Sequence, residues 1–340
     1  MPLKCLLSIM VIMPCAVSAA EFSVTQRNGK YCFQRPDGRV VMLLGMSHAS
    51  AGPPVVGLET TIKDLRDCKF NAVGYAKGLV DEFLFIHNAD KLVGSPKVER
   101  KKKDTEKDTK SSYEDVFDPA VKDKLRKQIA GICKQTVGNP NCVGYWWTDI
   151  PTWGGAKAGV KIDFVDYFRN LPATAPGRIR YEQFLAQEGD HGDAAFLRIV
   201  ARELYTYTAS CYREYAPGRL LFGERYNTIP GAPMEVIEEE GKVVDIVSFQ
   251  PYEKNLTGEV LDKVHALTGK PIFLSDWNQS FKTDKYDKTM WPQFSNEAEA
   301  AVSYKNYLLS AFAKPYILGY FKCQYMDAEY QPGQLKQGLR

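Results

Sequence analysis

Several things are scarce in this chain of 340 residues, and each scarcity removes a class of function. No Cys-x-x-Cys occurs, which sets aside zinc ribbons and thioredoxin-like redox chemistry. There are four histidines, at 48, 87, 191 and 265, and no His-x-His, which disfavours metal-dependent barrel hydrolysis; no cofactor or metal is expected. Charge of one sign is also lacking. The balance of 44 basic against 41 acidic side chains leaves +3, no general basis for binding nucleic acid or an anionic membrane. After residue 20 no apolar run is long enough to cross a bilayer, and neither a second domain nor a repeat of fixed period is visible.

Residues 1–20 read as a secretory signal. Lys4 supplies the positive start, Cys5 to Met13 the apolar run, and Val17-Ser18-Ala19-Ala20 a mostly small-residue cleavage site. Cys15 lacks the preceding small residues of a lipoprotein signal. The expected mature protein, 21–340, is exported to the periplasm or beyond, with the cut near Ala20. Cys32, Cys68, Cys133, Cys142, Cys211 and Cys323 remain. Sequence does not choose among their pairings; Cys133–Cys142 is one short bridge to consider, and buried thiols are the alternative.

What is present is a regular alternation of strand and helix text. Phe22-Ser23-Val24 and Tyr31-Cys32-Phe33 flank Asn28-Gly29, a hairpin signal. Central strands are predicted at Val40–Gly45, Phe70–Tyr75, Phe83–His87, 142–147, Arg219–Phe222, Val243–Phe249, Pro271–Leu274 and Tyr316–Phe321. Helices are predicted at Glu59–Cys68, Asp118–Lys134, Arg178–Gln187, Asp193–Tyr215, Glu259–Leu267 and Glu297–Ala313. Asp118 and Pro119 supply the cap and first turn of the second. Eight strands with crossover helices imply the α/β class: one (β/α)8 TIM barrel over 21–340 with an N-terminal β-hairpin cap. Ser95 to Ser112, with Arg100-Lys101-Lys102-Lys103, reads either as a patch for an acidic polysaccharide or as a flexible charged insertion.

Barrel sites form at the carboxyl ends of the strands. Polar residues stand there in unusual number, three of them carboxylates: Asp149 after the fourth strand, Glu224 after the fifth, Asp276 after the seventh. Strands four and seven lie roughly opposite each other across an eight-stranded ring. Two acids so placed can flank a glycosidic bond, one protonating the leaving oxygen, the other attacking carbon or activating water. His48, Arg225, Gln250 and Gln324 offer hydrogen bonds to a sugar. Trp147, Trp153, Tyr226, Tyr252, Trp277, Trp291 and Tyr325 offer flat faces for its rings. The expected partner is therefore a carbohydrate. Oligomeric state is not legible.

The strand-four and strand-seven acids resemble those of the large clan of retaining barrel glycosidases. Asp115-Val116-Phe117-Asp118-Pro119, then Asn139-Pro140 and Gly144-Tyr145, resemble a run in agarases of glycoside hydrolase family 50. A set of agarase-like exported bacterial proteins is similar again in four places. These are Trp146-Trp147-Thr148-Asp149, Gly223-Glu224-Arg225-Tyr226, Gln250-Pro251-Tyr252 and Gly319-Tyr320-Phe321-Lys322-Cys323-Gln324-Tyr325. The resemblance implies an exported glycoside hydrolase acting on a polysaccharide or its oligomers. The sequence departs from the agarases at the acids: Asn-Glu there is Thr148-Asp149 here, and Glu there is Ser275-Asp276 here. Two shorter side chains would widen the carboxyl gap by about 2 Å, from about 5.5 Å towards the about 6.5–9.5 Å that admits water. Asp149 is then the expected acid and Asp276 the base or nucleophile, with Glu224 as the other candidate acid. A non-catalytic carbohydrate-binding barrel and a polysaccharide lyase using Arg225 and Tyr226 are the alternatives.

Overall fold

Asn28 and Gly29 both take positive φ, 50° and 77°, as a two-residue hairpin turn requires. They join Ser23–Arg27 to Lys30–Gln34 in antiparallel register, Arg27 opposite Lys30. This is seen in a computed structural model that describes residues 21–49, 56–76, 78–99, 110–153, 155–157, 160–162, 164–227, 233–256, 258–286, 288–327, 335–336 and 338. The leader at 1–20 and the basic run at 100–103 lie outside the described residues.

Eight parallel strands close into a barrel. They are β1 (Leu43–Ser47), β2 (Ala72–Gly74), β3 (Leu84–Asn88), β4 (Cys142–Asp149), β5 (Leu220–Asn227), β6 (Val247–Gln250), β7 (Ile272–Trp277) and β8 (Ile317–Cys323). β8 pairs with β1, Tyr320 opposite Leu44, and so completes the ring. The helices are α1 (Leu58–Asp67), α2 (Pro119–Thr136), α3 (Phe164–Arg169), α4 (Pro176–Leu185), α5 (Asp193–Tyr215), α6 (Met234–Gly241), α7 (Glu259–Thr268) and α8 (Glu297–Ala313). The fold class is as expected: a (β/α)8 barrel with an N-terminal hairpin. Among the described residues no helix separates β2 from β3. Among the described residues no helix is long and apolar enough to cross a membrane.

The apolar run expected as one strand from Val40 is two. Val40–Val41 pairs back onto the hairpin, Val41 opposite Phe33, and the barrel strand starts at Leu43. The cap is thus a three-stranded sheet. It closes the barrel's amino end by inserting Phe33, whose ring lies 5.9 Å from that of Phe222 and 6.2 Å from that of Phe273. Above it the interior is filled by Leu43, Ile86, Val143, Trp146, Ile246 and Phe321. Gly45 and Gly74 are needed here, because a Cβ on either would run into the Phe321 ring. A second apolar layer joins the strands' outer faces to the helices.

Capping follows the sequence. Asp118 accepts from Ala120 N at 2.8 Å, and Asn296 accepts from Glu299 N at 2.9 Å while Glu299 accepts from Ser295 N. All six cysteines of the described residues are free thiols, and five are buried. The Cys133–Cys142 bridge is not formed; both sulfurs sit in the apolar layer around Tyr145, whose hydroxyl pairs with Thr136 at 2.8 Å.

Candidate active site

The packed interior ends at Trp146, and on Trp146 rests the Arg225 guanidinium, 5.0 Å from the ring centre. The Tyr75 ring centre lies 5.1 Å from the same guanidinium. Both rings are held by strand ends, Trp146 within β4 and Tyr75 just past β2, so the cation has two aromatic rings within cation–π distance. Arg225 is fully buried, and among the described residues its side-chain hydrogen bonds are at this mouth. Nη1 lies 3.1 Å from Asp149 Oδ1 and donates to the Tyr75 hydroxyl at 2.9 Å. Nη2 donates to Asp276 Oδ2 at 2.8 Å and to the Ser275 carbonyl at 3.1 Å. The acids of strands four and seven therefore meet on one guanidinium. That holds their bound oxygens no further than about 8 Å apart, a ceiling that the spacing of a glycosidase carboxyl pair would satisfy.

The two acids differ in environment. Asp149 has 23% of its side chain exposed, takes a 2.6 Å hydrogen bond from Gln250 Nε2, and has Lys97 Nζ 4.0 Å from its second oxygen. Asp276 is 4% exposed. Burial pushes its pKa up, and the charges of Arg225 and His48 work in the opposite direction. Its Oδ1 is buried without a hydrogen-bond partner. Burial lowers the pKa of His48, which stacks on Tyr75 with centroids 4.5 Å apart. Burial alone would also weaken the charge on Arg225, but Asp149, Tyr75 and Asp276 outweigh it and hold the group protonated.

The backbone around these groups is unusual. His48, Tyr75 and Ile150 have φ of 51°, 47° and 49°. Left-handed geometry is rare without glycine, and a β-branched residue such as Ile150 is a true outlier. Such strain collects where a fold must aim side chains at a site.

Some residues expected at the site lie elsewhere. Glu224 is 1% exposed and points away from the mouth towards α5. It accepts from Trp153 Nε1 and the Tyr205 hydroxyl, each at 2.6 Å, and from Ser95. Burial outweighs these bonds and pushes its pKa up to about 7. Tyr226 pairs with Tyr205 at 2.9 Å in the same sealed layer. Trp147 lies parallel to Tyr212, Trp277 stacks on Tyr307 at 3.9 Å, and Tyr325 donates to Asp64 of α1 at 2.7 Å. All of these rings are buried against the helices; on β5 and β7 a register shift, at Gly223 (φ 65°) and between Leu274 and Trp277, turns Tyr226 and Trp277 outward although Phe222 and Phe273 point into the barrel.

Gln250, Tyr252 and His48 do reach the mouth. Gln324 lies at the end of β8, 7% exposed, with Nε2 donating to the Met326 carbonyl at 2.6 Å. Trp291 is 63% exposed, its ring 5.9 Å from Lys254 Nζ. Tyr75 and Lys97 were not singled out from the sequence, and Cys323 was named there as a cysteine and within a motif, without a role at the site. Tyr75 ends a strand like any core aromatic, and nothing in its spacing marks it.

No family model matches the chain, and no curated protein matches it in sequence. Solved structures do match. An exo-β-agarase superposes with a TM-score of 0.75 at 14% identity, over 94% of this chain and 62% of its own. An agarase, AgWH50C, gives 0.71 at 15%, over 91% and 57%. A GH2 β-galacturonidase from Eisenbergiella tayi gives 0.54 at 12%, over 94% and 50%. The chain thus spans about three fifths of the length of these agarases, and what it shares with them is the (β/α)8 fold.

Proposed function

We propose that the protein is an exported glycoside hydrolase acting on a polysaccharide of the kind agarases cleave, or on its oligosaccharides. The observation that carries this reading is the meeting of Asp149 and Asp276 on Arg225 at the barrel mouth. Asp149, the more open of the two, protonates the leaving oxygen and is reloaded from solvent. Asp276 serves as base or nucleophile through Oδ1, since Oδ2 is held by Arg225. Arg225 acts as a positioning residue: its charge opposes the burial that would otherwise leave Asp276 neutral. Gln250 fixes Asp149, His48 and Tyr252 line the mouth, and exposed Trp291 offers a stacking face.

A second reading, a non-catalytic carbohydrate-binding barrel, is favoured by one observation: the cation between the acids neutralises charge that catalysis would use. The sealed positions of Glu224 and Tyr226 support neither a catalytic role for Glu224 nor the lyase alternative built on Arg225 with Tyr226. One screen of the purified mature protein against agar-derived and other defined oligosaccharides separates the readings. Products heavier by one water, about 18 Da per cut, mean hydrolysis. Tight binding without product means the binding barrel. NMR of the first-released anomer reads the stereochemistry, and inversion is expected if water fills the gap between the acids.

A further inference from the structure

His48 follows β1, Asp276 lies in β7 and Cys323 ends β8. These strands are consecutive around the ring, so the three side chains converge although the sequence separates them widely. One ligand-type atom of each, a ring nitrogen, a carboxylate oxygen and the sulfur, lies within 4.8 Å of the other two. Asp276 is 4% exposed and its Oδ1 is buried with no hydrogen-bond partner. An unsatisfied buried oxygen is a standing cost, which an occupant of the cluster would remove.

We propose that His48, Asp276 and Cys323 bind a divalent transition-metal ion, zinc(II) by chemistry, with its fourth position open to the cleft. Thiolate, imidazole and one carboxylate suit zinc and do not suit magnesium or calcium, which take oxygen ligands. Bond lengths of about 2.0–2.3 Å require the three atoms to close in by roughly 1 Å. His48 sits at the rim, part of its surface reaching solvent while its ring stacks on Tyr75, and a small rotation about that stack would bring its nitrogen in. The ion adds two positive charges and the Cys323 thiol releases one proton to solvent; no electron is transferred. Where the protein acts as the hydrolase proposed above, the metal takes Asp276 Oδ1 and blocks it as base or nucleophile, so zinc is a reversible inhibitor. That consequence rests on the hydrolase reading; the metal site does not.

The test uses the full mature chain, freed of metal by chelator, with exposed Cys68 replaced by Ser to remove a competing thiol. Calorimetric titration with zinc chloride in two buffers is expected to show one equivalent bound and about one proton released. Cobalt(II) is expected to give sulfur-to-cobalt charge-transfer absorption. Cys323→Ser and His48→Ala, checked for unaltered unfolding midpoints, are expected to lose at least about 100-fold in zinc affinity, more than the usual 10–100-fold for outer-shell changes. If Cys323→Ser does not fold, the cobalt spectrum of the parent chain decides. No stoichiometric zinc, no sulfur band, or unchanged affinity in both variants overturns the site. Zinc binding in a chain that hydrolyses nothing leaves the metal site standing and removes the hydrolase reading; the converse result does the reverse.

Discussion

Arg225→Met tests how the mouth is held together. Methionine approximates the aliphatic stem and can lie on Trp146, so the change removes charge and hydrogen bonds more than volume. Arg225 is buried and bonds both Asp149 and Asp276. Removing one partner from a buried ionic group leaves uncompensated charge and costs about 3–5 kcal/mol. Asp276 bears most of it, being almost fully enclosed; Asp149 can turn to water and to Lys97. Urea unfolding at pH 7 measures the loss. The second arm is Arg225→Met with Asp276→Asn, which removes the stranded charge and is expected to recover at least half of the loss. A single variant costing under about 1 kcal/mol, or a double variant that recovers nothing, would refute the ionic account. In the same single variant Asp276 keeps the burial that raises its pKa and loses the charge that lowers it. Any activity that needs ionised Asp276 should show its acidic limb displaced to higher pH.

Three further outcomes are expected. Glu224, with its pKa raised from 4.5 to about 7, binds a proton more tightly folded than unfolded. Its contribution to stability is therefore full below pH 4.5 and is lost as pH rises through about 7, a change of roughly 3 kcal/mol; Glu224→Gln should flatten that part of the stability–pH curve relative to the parent, read by urea unfolding at a series of pH values. Gly45→Ala places a methyl against the Phe321 ring and should cost about 1–3 kcal/mol in the same assay. Trp291→Ala, at an exposed ring, should change stability by no more than about 0.5 kcal/mol. If that ring stacks on substrate, the variant should raise KM with kcat retained.

The sequence showed the barrel because parallel strands are short apolar runs and each ends at a polar residue or a turn. Asp149, Arg225, Gln250 and Asp276 could be picked out on that basis, and the strand count places β4 and β7 across the ring. It did not show which face each aromatic takes. A strand buried on both sides carries no alternation to read, so Trp146 and Trp147 look equivalent. Trp146 floors the mouth and Trp147 packs on α5. Glu224, one residue before Arg225, likewise turns to the helix layer. The His48–Asp276–Cys323 cluster was hidden for another reason: its members come from three strands, and a search for closely spaced ligands passes over them. Only the closure of β7, β8 and β1 brings them together.

Rates of product release from agar-derived oligosaccharides by the parent, Asp149→Asn and Asp276→Asn test the central claim most directly. Each substitution removes an acid–base or nucleophilic group and is expected to lower kcat by about 100-fold or more, with substrate still bound. Cleavage at the parental rate by either variant would contradict the assignment of Asp149 and Asp276 as the pair that breaks the bond.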